Sequence, residues 1–244
     1  MQARSPLRWV LWDVKDTLVS VLGSAGVQYC KEAEKLGLSL SHAEVDAAFG
    51  RVYRDYSSRY PNYGVSQGLT AQLWWMRVVK DTLSQCRVQD PAVLNTVAYN
   101  AYLNFKNAAN WEMYPDAKPA LERCSSLGLK LGVVSNFDNR LEAVLQSCGM
   151  LSHFSFVISS EAAGVPKPSP AIFVQALQKC GTPADSVAHV GDHLVNDYLA
   201  SRSAGLHGFL LDRHNKHIDA DVPHEHRIVS LDELPSRLQQ LMHQ

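Results

Sequence analysis

Polar side chains able to do chemistry follow apolar segments at several points of the sequence. Asp13 ends the apolar run Leu7–Trp12. The other groups, in chain order, are Ser135-Asn136, Lys167-Pro168 and Gly191-Asp192 followed by Asp197. A continuous apolar run is typical of a strand buried in a parallel sheet, and such sheets bind ligands at the carboxyl ends of their strands. We therefore expect these side chains to meet in one crevice.

The residue types in this set predict covalent chemistry on an anionic substrate. A carboxylate such as that of Asp13 can attack phosphorus or carbon and form a covalent aspartyl intermediate. Asp192 and Asp197 can hold a hard cation such as Mg²⁺, which prefers oxygen ligands. Ser135 can donate a hydrogen bond to a phosphoryl oxygen, and Lys167 can neutralise charge that develops there. Each group alone is common in structural roles, so the prediction depends on the ordered set.

The elements that must position these groups alternate between strand and helix from Trp111 onward. The predicted strands are Leu129–Ser135, Phe154–Ser159, Ser186–Gly191, Leu206–Leu211 and Arg227–Val229. The predicted helices are Pro115–Leu127, one that Asp138 caps, Pro170–Cys180, Asn196–Ala204 and Leu231–Met242. Repeated βα units of this kind predict an α/β fold with a doubly wound parallel sheet. The polar segment Asp212–Arg227 is expected to be a solvated loop.

The segment 23–106 has a different character, because its apolar residues recur at helical spacing. Ser41, Thr70 and Asp90-Pro91 are capping signals that predict helix starts. The sequence Pro61-Asn62-Tyr63-Gly64 predicts a loop between helices. We therefore expect an all-helical subdomain that is inserted into the α/β fold.

The composition excludes several classes of protein. Hydrophobic residues make up 46% of the chain and charged residues 19%, with a net charge of -1 and no strongly basic stretch, so nucleic-acid binding is not expected. The five widely spaced cysteines favour reduced thiols. No apolar run is long enough to span a bilayer, and the few residues before the first strand leave no room for a signal peptide. We expect a soluble intracellular protein, cytoplasmic by default, with its organelle and oligomeric state left open.

Together, these motifs resemble those of the haloacid dehalogenase-like (HAD) hydrolase superfamily. The resemblance implies a Rossmann-like core over 1–22 and 107–244, with an inserted helical cap of the C1 type over 23–106. It also implies a role for each polar group. Asp13 would be the nucleophile, Lys15 would offer its backbone carbonyl to Mg²⁺, Ser135 and Asn136 would bind the phosphoryl group, Lys167 would be the catalytic cation, and Asp192 and Asp197 would be the metal-binding acids.

Lys15 departs from the pattern of the phosphatases in this superfamily, which carry an aspartate at that position as general acid and base. A lysine titrates near ~10.4, so Lys15 could act as an acid but would be a poor base at neutral pH. Its ammonium could also replace Mg²⁺ in the acidic cluster and weaken binding of the metal. Alternatively, the side chain points away and only its carbonyl faces the ion. Asp16 stands where the superfamily usually has glycine.

Three functions remain open on the sequence alone. The first is a phosphatase-type hydrolase that acts on a small phosphorylated metabolite, because a cap that excludes bulk water favours a small substrate. The second is a catalytically impaired binding or regulatory protein that keeps the phosphate pocket. The third is a metal-free dehalogenase-type enzyme. Tyr63 is the best candidate for a cap residue that reaches the substrate, with a packed turn as an equal alternative.

Overall fold

The computed structural model describes residues 6–243, so residues 1–5 and 244 of the predicted core boundaries lie outside the described residues. The chain forms two compact units. The first contains the described residues up to Ser20, then Met113–Phe137 and the described residues from Gly149. The second contains Val21–Glu112 and Asp138–Cys148. It thus includes the segment Asp138–Cys148, which the predicted insertion 23–106 does not contain.

The described residues 6–243 contain strands in two sheets. The strands are β1 (Trp9–Trp12), β2 (Val19–Val21), β3 (Trp111–Met113), β4 (Lys130–Ser135), β5 (Phe156–Ser159), β6 (Val187–Gly191), β7 (His207–Leu211) and β8 (Arg227–Ile228). Six of them form one sheet in the order β5-β4-β1-β6-β7-β8, and every neighbouring pair is parallel. The short strands β2 and β3 form a separate two-stranded sheet. The predicted parallel α/β fold is therefore confirmed.

The α-helices of the described residues are α1 (Ala25–Glu34), α2 (His42–Arg59), α3 (Ala71–Gln85), α4 (Pro91–Asn104), α5 (Ala117–Ser126), α6 (Leu141–Ser147), α7 (Ser160–Ala163), α8 (Pro170–Cys180), α9 (Ala200–Ser203) and α10 (Leu234–Met242). Helices α5, α8 and α10 have bounds close to those that the sequence predicts. None of the helices within residues 6–243 is long and apolar enough to cross a membrane.

The central strand β1 is buried on both faces, which explains its continuous apolar sequence. Trp9 and Leu11 share an apolar cluster with Ile172 and Phe173 of α8. Trp12 points to the opposite face, because side chains alternate along a strand, and it is fully buried as well. This packing fixes the end of β1, and therefore the position of the residue that follows it.

The second unit is helical, as the spacing of its apolar residues predicts. Helices α1 to α4 pack in the ring α1-α2-α3-α4, which α4 closes on α1. Ser41, Thr70 and Asp90 each accept a hydrogen bond from a backbone amide in the first turn of their helix. The predicted caps are therefore confirmed.

Two local predictions need correction, and a third gains detail. Asp138 does not cap α6, whose N-cap is Arg140, because the Asp138 carboxylate instead binds the Arg140 guanidinium and backbone amide. The predicted loop Pro61–Gly64 does connect α2 to α3, with left-handed backbone at Asn62, Tyr63 and Gly64 inside the 3₁₀ segment Pro61–Gln67. The predicted helix Asn196–Ala204 begins earlier, as the π-helical turn Leu194–Leu199, and continues as α9.

Candidate active site

The ammonium of Lys167 is the centre of a buried ionic cluster at the carboxyl ends of β1 and β6. It donates to Oδ1 of Asp13 at 2.6 Å and to Oδ1 of Asp197 at 2.6 Å. It also donates to the carbonyl of Val134, in β4, at 2.9 Å. All three ionic groups are almost completely buried. Residues that lie far apart in the sequence thus meet in one buried cluster.

Asn136 holds the loop that carries Lys167. Its side-chain amide donates to the carbonyl of Lys167 at 2.9 Å, and its side-chain oxygen accepts from the Lys167 amide at 2.7 Å. This reciprocal pair joins the end of β4 to the loop before α8. The structure therefore gives Asn136 a bracing contact, and its predicted contact with a phosphoryl group stays a prediction.

Asp197 reaches the cluster from the π-helical turn after β6. Its second oxygen, Oδ2, accepts from the His193 amide at 3.1 Å, while the Nδ1 of His193 caps the turn by accepting from Val195 and Asn196. Single π-helical turns are rare and frequently occur at functional sites.

Gly191 lets the Asp197 side chain lie against the backbone of β6. A Cβ at position 191 would stand 2.2 Å from the Cγ of Asp197. Any larger residue at this position would push the carboxylate out of place. The close approach of Asp197 thus explains why glycine occupies position 191.

His189 is a contact of this cluster that the sequence does not reveal. Its Nε2 lies 2.9 Å from Oδ1 of Asp197, and the ring packs edge-on against Phe173 at 5.1 Å. Burial lowers the pKa of His189, against the opposing effect of Asp197. Because an ionised carboxylate only accepts hydrogen bonds, the neutral ring carries its proton on Nε2. Within the apolar segment Val187–Val190, a lone histidine is indistinguishable from an ordinary core residue.

The three carboxylates of Asp13, Asp192 and Asp197 carry more charge than the ammonium of Lys167 can neutralise. Burial raises the pKa of Asp197, but the charge of Lys167 and the hydrogen bond from His189 outweigh it and hold that pKa well below its usual range. Burial raises the pKa of Asp13, although Lys167 opposes the shift. Burial and the carboxylates of Asp13 and Asp197 raise the pKa of Asp192 to about 7. When all three carboxylates are ionised, two negative charges remain beyond the one that Lys167 neutralises.

Oxygen atoms of Asp13, Asp192 and Asp197 lie within 4.8 Å of one another, close enough to hold one metal ion. An all-oxygen set with an excess of two negative charges suits a hard divalent cation. The residues present therefore fit a group such as Mg²⁺.

The Lys15 ammonium pairs with its neighbour Asp16, at 2.5 Å from Oδ2, and the Lys15 side chain is 52% exposed. The cation held 2.6 Å from Asp13 and from Asp197 is that of Lys167. This geometry favours the second of the two hypotheses for Lys15, in which its ammonium does not take the place of the metal. Asp16 has a left-handed backbone, with φ of 61°, which explains why a glycine suits this position.

Two hydroxyl groups lie near the carboxylate of Asp13. Thr17 donates to its Oδ2 at 3.4 Å, and the Ser135 hydroxyl acts to lower the Asp13 pKa. Both hydroxyls are buried. They can orient the carboxylate, and the Ser135 hydroxyl can also donate a hydrogen bond to a group bound to Asp13.

Tyr63 lies in the second, helical unit. Its ring packs edge-on against Trp74 at 5.5 Å and lies 6.2 Å from the ring of Trp75. The structure thus places it in an aromatic cluster of that unit, and its predicted contact with substrate stays a prediction.

The parallel sheet, the inserted helical unit and the buried Asp-Lys-Asp cluster define the class of this protein. A sequence model of the haloacid dehalogenase-like hydrolases matches residues 7–205. The chain therefore belongs to the haloacid dehalogenase-like hydrolase family, as its motifs predict.

Two relatives match over nearly their full length. The chain is 56% identical over 237 residues to haloacid dehalogenase-like hydrolase domain-containing protein 3 of Danio rerio, covering 97% of this chain and 98% of that protein. It is 38% identical over 234 residues to the protein of the same name from Homo sapiens, covering 95% and 93%.

Solved structures share the fold at lower identity. A 2-haloacid dehalogenase from Pseudomonas syringae pv. Tomato has a TM-score of 0.68 at 22% identity, over 96% of this chain and 99% of that one. A HAD phosphatase from Thermococcus onnurineus has a TM-score of 0.62 at 23% identity, over 95% and 98%. YfnB from Bacillus subtilis, solved with bound magnesium, has a TM-score of 0.74 at 18% identity, over 96% and 100%. These likenesses concern the fold alone, and the proteins include both a phosphatase and dehalogenases.

Proposed function

We propose that this hydrolase is of the phosphatase type and acts on a small phosphorylated metabolite, with Asp13 as the nucleophile. The observation that carries the proposal is the buried ammonium of Lys167, which lies 2.6 Å from both Asp13 and Asp197. A buried cation beside a nucleophilic carboxylate can stabilise the charge of a phosphoryl group during transfer. The substrate class follows from the sequence argument that an inserted helical subdomain favours substrates small enough to be enclosed.

Mg²⁺ is part of this proposal. Asp13, Asp192 and Asp197, with the Lys15 carbonyl, would hold the ion, and the excess of two negative charges in the cluster supports a divalent cation. When bound, the ion would neutralise negative charge on the phosphoryl oxygens. A set of carboxylates whose charge calls for a divalent cation favours the phosphatase type over a metal-free dehalogenase.

In the first half-reaction, an oxygen of Asp13 forms a bond to phosphorus as the bond to the leaving oxygen breaks. Thr17 donates to one oxygen of the carboxylate and Lys167 to the other, which restrains its orientation for this attack. The leaving oxygen takes up a proton, and the Lys15 ammonium would have to leave its ion pair with Asp16 to supply it. Water then attacks phosphorus in the second half-reaction, which returns Asp13 and releases phosphate.

Lys15 makes the second half-reaction the slower one. Because its side chain is 52% exposed, the amine regains a proton from solvent, and no base is then available to the attacking water. Loss of general base catalysis typically costs about 10²–10⁴-fold in rate. We therefore expect slow turnover with accumulation of the aspartyl-phosphate.

Lysine at position 15, paired with Asp16 and not with a base, also favours a second candidate function, a protein that binds phosphorylated ligands without turning them over. Lys15→Asp separates the two functions, because it restores a carboxylate at the position of the missing base. A third candidate, the dehalogenase, predicts halide release without metal.

The test is a panel of phosphorylated metabolites and haloacids, with Mg²⁺ or with a chelator. It compares the wild type with Asp13→Asn, Lys15→Asp and the control Asp185→Asn, which changes an exposed aspartate. The proposal predicts Mg²⁺-dependent phosphate release by the wild type that Asp13→Asn abolishes, that Lys15→Asp increases and that Asp185→Asn leaves unchanged. Phosphate release only by Lys15→Asp would support the binding protein. Halide release in the presence of chelator would support the dehalogenase.

A further inference from the structure

Arg213 lies beyond residue 205, where the match to the family model ends. It follows β7 in the polar segment that the sequence predicts to be a solvated loop. Most of that segment is exposed, but the Arg213 side chain is only 13% exposed. An arginine that is buried to this extent within a polar loop needs a specific partner.

That partner is Asp116, at the start of α5. The two terminal nitrogens of Arg213 donate to the two oxygens of Asp116 at 2.7 and 2.8 Å, in a two-pronged ion pair. The hydroxyl of Ser230 and the amide of Leu231 also donate to Asp116, at 2.8 and 2.9 Å. The Arg213 guanidinium lies 4.1 Å from the ring centre of Tyr114. Its plane and position are therefore fixed from two sides.

The same guanidinium contacts the loop that carries the nucleophile. Nη2 of Arg213 donates to the carbonyl of Thr17 at 3.0 Å. The next carbonyl, that of Leu18, accepts from the Tyr114 amide at 3.1 Å. Thr17 in turn places its hydroxyl on Oδ2 of Asp13 at 3.4 Å. A continuous set of contacts thus runs from Asp116 through Arg213 and Thr17 to the carboxylate of Asp13.

We propose that Arg213 is a positioning residue for Asp13, and that Asp116 holds Arg213 in place for this purpose. The proposal rests on the proposed function in one respect, that Asp13 is the nucleophile. Arg213 does not touch the reacting atoms. It fixes the backbone of the loop after β1, so that Thr17 presents its hydroxyl and Asp13 keeps one orientation.

Geometry sets arginine apart from lysine at this position. Only a planar guanidinium can bind both oxygens of Asp116 and still direct an N–H at the Thr17 carbonyl. A lysine would keep the charge and lose the two-pronged contact. Arg213→Lys should therefore reproduce most of the defect of Arg213→Met. If only the positive charge mattered, Arg213→Lys would instead restore wild-type behaviour.

The experiment compares Arg213→Met and Arg213→Lys with a matched control, Arg123→Met. Arg123 is an exposed arginine that pairs with Asp232 at 3.7 Å. The first measurement is amide hydrogen exchange at Thr17, Leu18 and Val19, whose amides donate to the Val14 carbonyl. Exchange at Val133 and Val134 in β4 is the internal reference. The second measurement is kcat and KM for Mg²⁺-dependent release of phosphate.

We expect exchange in the loop to become about tenfold faster in both Arg213 variants, with no change in β4 or in Arg123→Met. We expect kcat to fall about 10- to 100-fold at nearly constant KM, because a small displacement of a reacting group is costly. Unchanged exchange in the loop would overturn the proposal, as would equal acceleration in the loop and in β4, or full rescue by lysine.

The two proposals fail in different ways. If the wild type releases no phosphate, the proposed function fails, and the exchange data alone decide whether Arg213 fixes the loop. If the wild type is active and both Arg213 variants keep its kcat, the positioning role fails while the role of Asp13 stands.

Discussion

The ammonium of Lys167 lies 2.6 Å from Oδ1 of Asp13, and both side chains are almost completely buried. A buried carboxylate is costly without a partner, and Lys167 serves both Asp13 and Asp197. One lysine therefore offsets the cost of burying two carboxylates.

Replacing Lys167 should cost stability as well as activity. In Lys167→Met, Asp13 and Asp197 would remain as buried like charges without their cation. We expect the free energy of unfolding to fall by about 3–5 kcal/mol, the usual cost of removing one partner of a buried ion pair. Urea unfolding measures this change. Lys179→Met, at an exposed position of α8, is the control, and equal stability of the two variants would contradict the assignment.

Asp192→Asn should stabilise the metal-free protein while it abolishes stabilisation by Mg²⁺. The folded-state pKa of Asp192, about 7, lies above its ordinary value. Between these two values the folded state binds more protons than the unfolded state, so the Asp192 contribution to stability falls as pH rises. We therefore expect the variant to melt above the metal-free wild type at about pH 8 and close to it at about pH 4.

Thermal unfolding with chelator or with Mg²⁺ tests this expectation, and Asp185→Asn is again the matched control. If Asp192→Asn melted below the metal-free wild type at the higher pH, the idea that the three carboxylates carry excess negative charge would be contradicted. Persistent stabilisation by Mg²⁺ would show that Asp192 is not a ligand.

Much of the fold follows from the sequence, because the apolar runs and caps act locally. Trp9 and Leu11 face one cluster and Trp12 the other face of the sheet, so burial on both sides leaves a continuous apolar run. Thr70 and Asp90 cap their helices as predicted because their bonds are to amides in the next turn. The sequence predicts the same for Asp138, but the Arg140 guanidinium binds its carboxylate and α6 has Arg140 as its N-cap.

The contacts within the site depend on tertiary structure. The sequence places Asp13, Lys167 and Asp197 at strand ends but does not show that one ammonium bridges both carboxylates. His189 is hidden because a single histidine in an apolar strand looks like a core residue. Arg213 is hidden because its partner, Asp116, lies 97 positions away and the surrounding loop is polar.

Gly191→Ala should displace Asp197, since the added Cβ would stand 2.2 Å from its Cγ. We expect a loss of about 1–3 kcal/mol in stability from overpacking, and a loss of Mg²⁺ binding with it. The matched control is Gly50→Ala in α2, where a Cβ would have ordinary space. This substitution should stabilise the helix slightly, because alanine favours helices more than glycine does. Urea unfolding and calorimetric titration with Mg²⁺ measure the two effects. Wild-type binding of Mg²⁺ by Gly191→Ala would count against this role for the glycine.

Substitutions at position 16 test the backbone conformation of the loop after β1. Asp16 has a φ of 61°, a conformation that glycine adopts freely and alanine does not. Its ion pair with Lys15 is exposed, and such pairs contribute little. We therefore expect Asp16→Gly to keep wild-type stability and Asp16→Ala to cost about 1 kcal/mol. Equal melting temperatures for the two variants would show that the loop does not require this conformation.

Chemical trapping of the covalent intermediate tests the nucleophilic role of Asp13 most directly. Protein is mixed with Mg²⁺ and a phosphorylated substrate, quenched in acid and reduced with borohydride, which converts an aspartyl-phosphate to homoserine. Mass spectrometry of the peptides then locates the modified residue. We predict modification at position 13 in the wild type, less of it in Lys15→Asp, where the second half-reaction has its base again, and none in Asp13→Asn. Phosphate release without modification at position 13, or with modification at another aspartate, would contradict the assignment of Asp13.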